Sequence, residues 1–569
     1  MRLTQLSANQ QGFKTVKFRP TGATLIVGTQ SREGQTYNGV GKSLIVQLIH
    51  FCLGSNKNAA FEEKIPQWEF QLAFEIAGAS HKVARNTSKQ NVVILDDKEV
   101  SVTEYRKWLG ERAFTLPDDV GLSFRSLIPK FLRRGQKEYN EPLETGEATD
   151  YQKILHASFL LGLEVALVKR KCDLRTESTR IDVLKKNFQT DDLLKDFYTG
   201  GKDTAIHLAF LDQRIRKLNQ DKDQFVLAEN YHEMREAADA LAERIGDETN
   251  RMFLVQGAVD NIDKSLREQP DLPVERVRQL YGELAQTFKP ESLRRLQEVS
   301  DFHRRMLSNR IARLSGEKLR LLEQVARLQA DLSSMRSELD KKIQTLGEAR
   351  ALDHYTALVA QIADLQVQAD KLRDYQELSR EYTDREAQLQ LRLSEEVIAT
   401  NVYLDETKVE RERHLSVFND YVAKFYPNRI AGISVQNNVG ENKIRFDISV
   451  HVEGDSSDGI NEVRIFCYDL ALMTLRLGHK IGFLFHDSRL FANMDIRQRA
   501  TLFKLAHQVT STLDTQYIAT INPDFISSME REFTPEEFKR AIGDNVVLEL
   551  KDDSPAGKLL GLDVDMKYD

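Results

Sequence analysis

Cysteine is scarce in this 569-residue chain: Cys52, Cys172 and Cys467 stand far apart, with no CxxC pair and no Cys/His cluster. That spacing excludes a disulfide framework and a zinc site of the usual kind. Long hydrophobic runs are missing too, since the apolar stretches stop at about a dozen residues, short of the ~20 that cross a bilayer. No basic-plus-apolar leader opens the sequence, so a soluble, cytoplasmic chain with no membrane partner is expected. Net positive charge is absent, the formal value being −7. A uniformly basic nucleic-acid binder is thereby excluded, and contact with a phosphate backbone has to come from local Lys/Arg clusters. Between about Tyr151 and Phe425 proline nearly vanishes, which leaves a long tract almost without helix breakers.

What is present begins with an apolar run, Ala23-Thr-Leu-Ile-Val-Gly28, and, after a loop, Asn38-Gly-Val-Gly-Lys-Ser43 leading into Leu44–Gly54. The first reads as a buried strand and the last as a helix, so the glycines, lysine and serine sit at a strand-to-helix turn. Backbone N–H groups in such a turn cradle a triphosphate, Lys42 reaches its β/γ oxygens, and Ser43 holds Mg²⁺. Asn38, Gly39, Val40, Gly41, Lys42, Ser43 and Leu44 are therefore the expected nucleotide-binding residues, with ATP and Mg²⁺ as ligands. The first glycine of the G-x-x-x-x-G-K-[ST] string is missing. Thr36 stands there, and Gly28 is the nearest substitute, which implies an inserted loop. An ordinary glycine-rich turn is the alternative reading.

Around this turn, Thr15–Phe18 reads as a strand, and Trp68–Ile76, His81–Arg85 and Asn91–Leu95 read as a small antiparallel sheet beside the nucleotide strand. Arg85 is either a surface arginine or a group approaching the nucleotide. Residues 121–137 carry five positive charges and no acid, a candidate phosphate-contacting patch or a solvated helix face.

The proline-poor tract is rich in Leu, Glu, Lys, Arg, Gln and Ala. Ile311, Leu314, Leu321, Val325, Leu328, Leu332, Met335, Leu339 and Leu346 alternate in three- and four-residue steps, with Lys318 and Lys342 filling two seam positions. Five heptads of this kind make a left-handed coiled coil with long Lys stems along the seam. A second helical region, from about Ile206 to Leu266, precedes Pro270 and Pro273, so an out-and-back hairpin with its apex near 267–275 is expected. A sixty-residue arm reaches roughly 90 Å.

Strand signals return at Ile433–Asn437 and Lys443–Val452, and a Ser/Gly loop, Gly454–Arg464, opens the helical run Ile465–Leu475. Such a loop is a second anion-cradling element, or a plain capped helix start. Lys480–Phe485 is an apolar run ending at His486-Asp487-Ser488, and Gln516–Ile521 ends at Asn522. A carboxylate at the end of a buried strand is where a P-loop ATPase handles Mg²⁺ or water. Asp487 and Asn522 are thus placed at the carboxyl edge of one sheet, where open α/β sheets bind ligands.

The split order of P-loop half, coiled coil and acid-bearing half resembles the SMC and RecN class of ABC-type ATPases. In detail it is similar to bacterial SMC-like proteins encoded in three-component operons associated with phage defence. The resemblance covers the whole chain in architecture and only its two ends in motifs. It implies an α/β fold: an ABC-type P-loop ATPase head assembled from N- and C-terminal halves (1–150 and 426–569) and interrupted by an antiparallel coiled-coil hairpin (151–425). It makes Asn38–Ser43 Walker A and puts Ser457–Glu462 where the ABC signature stands, with Ser457, Gly459 and Asn461 facing nucleotide. Asp487 falls in the Walker-B region, Asp495 in the D-loop, and Asn522 at the switch-histidine position. The chain also departs from that pattern: the Ser-Gly-Gly-Gln/Glu core is absent, His486-Asp487 replaces Asp-Glu, and asparagine replaces the switch histidine.

If the apolar run sets the register, Asp487 is the catalytic acid and His486 the metal-side group. If the first acid sets it, Asp487 is the metal-side group and Ser488 leaves no base. Either way carboxylates are few and hydrolysis is expected to be slow, with Lys42, Asp487 and Asn522 in catalytic roles and Ser43 and Asp487 on the metal. The resemblance further implies a homodimer through ATP-sandwiched heads, engagement of DNA, a small accessory subunit and an effector protein. The second reading is a non-hydrolysing, nucleotide-latched scaffold recruiting partner proteins. A self-contained nuclease is opposed by the lack of a clustered acid-lysine pattern outside the ATPase motifs.

Overall fold

The computed structural model describes residues 1–29, 39–190, 204–223, 231–267, 290–344 and 349–564. The chain divides into two compact units, Met1–Ile181 with Glu386–Asp569, and Asp182–Arg385.

In the first unit, one parallel sheet joins the two ends of the chain. It takes β3 (Gly22–Thr29) from the N-terminal half and β10 (Phe483–His486), β11 (Gln516–Ile521) and β12 (Val546–Lys551) from the C-terminal half, in the order β10-β11-β3-β12. Leu25 of β3 stands opposite Ala519 on one side and Val546 on the other. Ala23, Leu25, Ile26 and Val27 are buried, the continuous apolar pattern of a strand covered on both faces. Neither half can complete this sheet alone, so the fold is an α/β P-loop head built from both. A second, antiparallel sheet has the order β2-β1-β4-β5-β6-β7, from β1 (Arg2–Ala8), β2 (Val16–Lys17), β4 (Glu69–Ile76), β5 (Ala79–Asn86), β6 (Val92–Leu95) and β7 (Lys98–Ser101). The P-loop helix, Lys42–Cys52, packs against β3, β4 and β5 and so joins the two sheets through its apolar faces. A two-stranded hairpin, β8 (Ala431–Asn437) and β9 (Phe446–Val452), completes the strands described.

Strands β1, β7 and β12 lie outside the sequence expectation. Each carries charged or half-exposed residues and none has a long apolar run, as in Lys98-Glu-Val-Ser101. The loop expected over Gly454–Arg464 is also shorter than that, because the helix already begins at Asp458 and runs to Leu475.

The basic stretch 121–137 is corrected by its surroundings. Lys130 is fully buried and donates to the carbonyls of Pro142 (2.5 Å) and Glu144 (2.7 Å). Arg133 is fully buried against Asp469, and half-buried Arg125 reaches Leu53 O at 3.4 Å and His50 Nδ1 at 3.3 Å. Three of the five charges are thus spent holding the interior, and Arg134 and Lys137 alone are left at the surface. Arg85 is corrected likewise. It is buried and donates to Phe51 O (2.7 Å), Ser55 O (2.9 Å) and Gln90 O (2.6 Å), so it ties off the carboxyl end of the helix Lys42–Cys52, at the opposite end from Lys42 and Ser43.

The second unit is helical. Along Pro290–Gln344, Val325, Leu328 and Leu332 are buried and Leu314, Lys318, Leu321, Met335, Leu339 and Lys342 half-buried, which is the expected seam. Ile311 is the exception, at 51% exposed. Lys318 lies in the seam with its ammonium on Asp263, 2.5 Å away, which meets the requirement that a seam lysine find a partner for its charge. Partners run in opposite directions along the chain: Asp212 with Arg373 at 2.5 Å, Asp239 with Tyr355, Asp263 with Lys318. That order is an antiparallel hairpin. The expected apex at 267–275 with Pro270 and Pro273, and Leu346, lies outside the described residues apart from Arg267.

Candidate nucleotide site

Strand β3 ends at Thr29 and the P-loop helix begins at Lys42, with Gly39 and Gly41 at φ 79° and 103° just before it. Both values are left-handed, a region glycine enters without steric cost. Gly41 is held there for a second reason: a Cβ on it would stand 2.6 Å from Leu559 Cβ. Leu559 also donates its N–H to Val40 O at 3.0 Å, so a C-terminal segment buttresses the loop from outside the site. Asn38 and the inserted loop before it lie outside the described residues. Val40 and Leu44 bury their side chains in the core, which leaves their backbone as the part able to serve a ligand.

The structure brings Lys42, Ser43, Asp487 and Asn522 together. Lys42 Nζ donates to Asn522 Oδ1, and Ser43 Oγ donates to Asp487 Oδ2 at 2.7 Å. Asp487 follows β10 and Asn522 follows β11, so the parallel pairing of these strands with β3 sets all four groups at one carboxyl edge. Gly28 proves to be the residue that makes room for Lys42: a Cβ there would lie 2.9 Å from Lys42 Nζ and 3.2 Å from Val40 Cγ2. The second oxygen of Asp487 accepts from Thr520 Oγ1 and from Ser488 N at 2.8 Å, and its own N–H donates to Tyr139 OH at 2.9 Å. Thr520 and Tyr139 carry no motif, and only the sheet register and the fold of 133–142 reveal them.

Successive strand residues face opposite ways, and this separates His486 from Asp487. His486 is fully buried on the far face, with Nε2 3.1 Å from Asp469 Oδ2 and Nδ1 3.2 Å from Tyr517 OH. Asp469 in turn takes two hydrogen bonds from the Arg133 guanidinium. Of the two registers open in the sequence, the one that makes His486 a metal-side group finds no support, since Asp487 is the residue facing Ser43. Ser488, which follows it, is a hydroxyl where a base would be needed.

Ser457, Gly459 and Asn461 form a separate cluster at the start of the helix Asp458–Leu475. Ser457 is exposed, and Gly459 is required by contact, since a Cβ there would stand 2.7 Å from Asn493 O. Asn461 donates to Asn140 O at 2.8 Å and accepts from Arg464 at 2.7 Å, so its side chain is engaged within its own chain. Glu462 accepts from Asn493 N (3.0 Å) and Nδ2 (2.9 Å), and burial pushes its carboxyl up to about 7. Asp495 caps the helix Ile496–Leu513 by accepting from Gln498 N at 2.7 Å.

Burial lowers the Lys42 ammonium from 10.5 to about 8, against the pull of Asp487 and Asp524. In the unliganded head Lys42 therefore sheds its proton near pH 8, while the unfolded chain keeps it to about 10.5, so this group makes stability rise with pH across that window. A polyanion on the loop restores the charge. ATP binding at pH 8 to 9 is accordingly expected to take up a fraction of a proton, read as a dependence of the calorimetric enthalpy on the ionisation enthalpy of the buffer. No such dependence would show that Lys42 is already fully charged.

The donor set fits a magnesium nucleotide: a glycine loop ahead of a helix, a lysine over the strand end, and a Ser–carboxylate pair beside it. A family model described as "Uncharacterised protein conserved in bacteria (DUF2326)" matches residues 421–564. The chain is similar to "Uncharacterized protein YydD" of Bacillus subtilis (strain 168), at 21% identity over 561 residues, 90% of this chain and 92% of that one. Among solved structures it is similar to the Smc head domain with a coiled coil and joint from Pyrococcus yayanosii, at 14% identity and a TM-score of 0.36 with 93% of each chain covered. It is also similar to an SmcHead bound to the C-winged helix domain of ScpA, at 10% identity and a TM-score of 0.32, with 93% of this chain and 92% of that one covered.

Proposed function

We propose that this protein is an SMC-like ATPase whose composite head binds ATP with Mg²⁺ and hydrolyses it slowly, so that the nucleotide works as a latch more than as a fuel. The observation that carries the reading is the Ser43–Asp487 hydrogen bond of 2.7 Å, which joins a Walker-A serine to a strand-end carboxylate 444 positions away. The backbone of Gly39–Leu44 holds phosphates, Lys42 neutralises their charge, and Asn522, now bonded to Lys42, turns to the terminal phosphate when Lys42 is drawn to it. Ser43 and Asp487 are the protein ligands of Mg²⁺, which when bound offsets charge on the phosphate oxygens. Hydrolysis is slow because Ser488 supplies no base and a misplaced or missing catalytic group is costly.

In this reading the exposed Ser457 and the tightly packed Gly459 turn to the nucleotide of a second copy, giving a homodimer with two ATP molecules between the heads. Addition of ATP to the purified chain is expected to convert monomer to dimer in a mass measurement, with ADP without effect. A mass unchanged by ATP at saturation would remove the sandwich. Engagement of DNA, a small accessory subunit, control of an effector and a part in defence against phage rest on the family resemblance alone. The interior roles of Lys130, Arg133 and Arg125 leave only Arg134 and Lys137 of the stretch 121–137 for DNA contact, which would therefore have to draw mainly on residues elsewhere. The scaffold reading is favoured by the same Ser488: the latch would then close on ATP without turnover.

A further inference from the structure

Away from the nucleotide loop, positive charge is gathered where the helix Val165–Thr190 meets the β8–β9 hairpin. Lys171 is 2% exposed, and its ammonium donates to Asn438 O at 2.5 Å and Asn438 Oδ1 at 2.9 Å, both neutral acceptors. Arg445, just before β9, is fully buried. Its Nη1 reaches Asn437 Oδ1 at 3.3 Å, while Nε and Nη2 have no hydrogen-bond partner among the described residues. Arg175 offers Nη2 to Gly440 O at 3.5 Å, and its Nε is likewise buried and unpartnered among the described residues. Burial, with Arg445 and Arg175 adding their repulsion, lowers the Lys171 ammonium to about 8.

The nearby carboxylates offset this only in part. Glu396 Oε1 takes Arg170 at 2.8 Å, and Asp447 accepts from Asn438 Nδ2 at 2.7 Å. Glu396 Oε2 is buried and has no partner among the described residues, yet its charge acts on Arg445. Buried guanidinium N–H groups without acceptors are strongly unfavourable, and so is a buried carboxylate oxygen without a donor.

We propose that this cluster is a binding site for a free phosphate group bearing one proton, held by Arg445, Arg175 and Lys171 and donating its P–OH to Glu396 Oε2. A planar guanidinium suits two oxygens of such a group at once. The orphaned carboxylate oxygen selects among oxyanions: phosphate at neutral pH has a hydroxyl to give it, and sulfate has none. The enclosure of Arg445 selects a free ion or the terminal phosphate of a small metabolite over a duplex backbone, which cannot reach fully buried nitrogens.

The test is calorimetric titration of the full chain with potassium phosphate and with potassium sulfate at equal ionic strength, in the wild type and in Lys42→Ala, Arg445→Met and Glu396→Gln. Phosphate is expected to bind at least tenfold more tightly than sulfate, to keep its affinity in Lys42→Ala, and to lose at least tenfold in Arg445→Met. Glu396→Gln, whose amide can donate, is expected to shrink the preference for phosphate and to let sulfate bind; this arm holds even if Arg445→Met does not fold by circular dichroism. Equal affinity for the two ions would overturn the proposal, as would phosphate binding lost in Lys42→Ala and kept in Arg445→Met. A short DNA duplex that binds through Arg445 while free phosphate does not would also overturn it.

Discussion

The Asp487→Asn substitution is expected to lower magnesium-dependent ATP turnover by about 100-fold or more, while ATP binding changes little. The change is close to isosteric. The new side chain would keep an oxygen for Thr520 and Ser488 N, and its amide can face Ser43 Oγ, which accepts as readily as it donates. What disappears is the charge that would make Asp487 a metal ligand in the proposed site, and Ser43 alone would be a weak substitute. Phosphate release measured over a magnesium titration would show the loss, with a raised magnesium requirement at residual turnover. If Asp487→Asn keeps wild-type turnover, the carboxylate is only a cap for the short helix that follows it, a role it also fills through Ser488 N.

The second large effect concerns stability. Methionine in place of Arg133 is expected to cost roughly 3–5 kcal/mol, because fully buried Asp469 would lose the guanidinium that keeps its carboxyl ionised and would keep His486 as its side-chain hydrogen-bond partner among the described residues. Domains hold about 5–15 kcal/mol in all, so a thermal melt should shift by many degrees. Arg133 also reaches the carbonyls of Glu138 and Pro142, which adds unmet acceptors to the loss. Removing the acid as well, in Arg133→Met with Asp469→Leu, should recover much of the stability, since replacing a whole buried pair is far cheaper than breaking it. A single variant that melts with the wild type would mean the pair is not formed in solution.

Much of the head was legible because its cues are local. The apolar run Ala23–Val27, the glycines before Lys42, and the acid after Lys480–Phe485 announce a strand, a glycine turn into a helix and a strand-end carboxylate from neighbouring residues alone. The seam from Leu314 to Lys342 was legible for the same reason, as its period is written in one helix. Ile311 fits that period and is nonetheless exposed, since period alone does not say where a partner helix stops covering the seam. Arg85, Lys130 and Arg133 were beyond reach because a buried cation and a surface one look alike until the carbonyls and carboxylates around them are placed by tertiary structure. The same holds for Leu559 on the phosphate loop and Tyr139 on Asp487, contacts between distant segments with no periodic signal. His486 and Asp487 show the intermediate case. Strand alternation required them to face apart, and the bond to Ser43 decides which one faces the loop.

Equilibrium binding of ATP with magnesium to the purified chain and to its Lys42→Ala variant tests the nucleotide site most directly. The assignment of Gly39–Ser43, Asp487 and Asn522 to one site requires about one ATP per chain, with affinity reduced at least tenfold by the loss of Lys42. Binding that is absent in the wild type, or that survives Lys42→Ala undiminished, would contradict it.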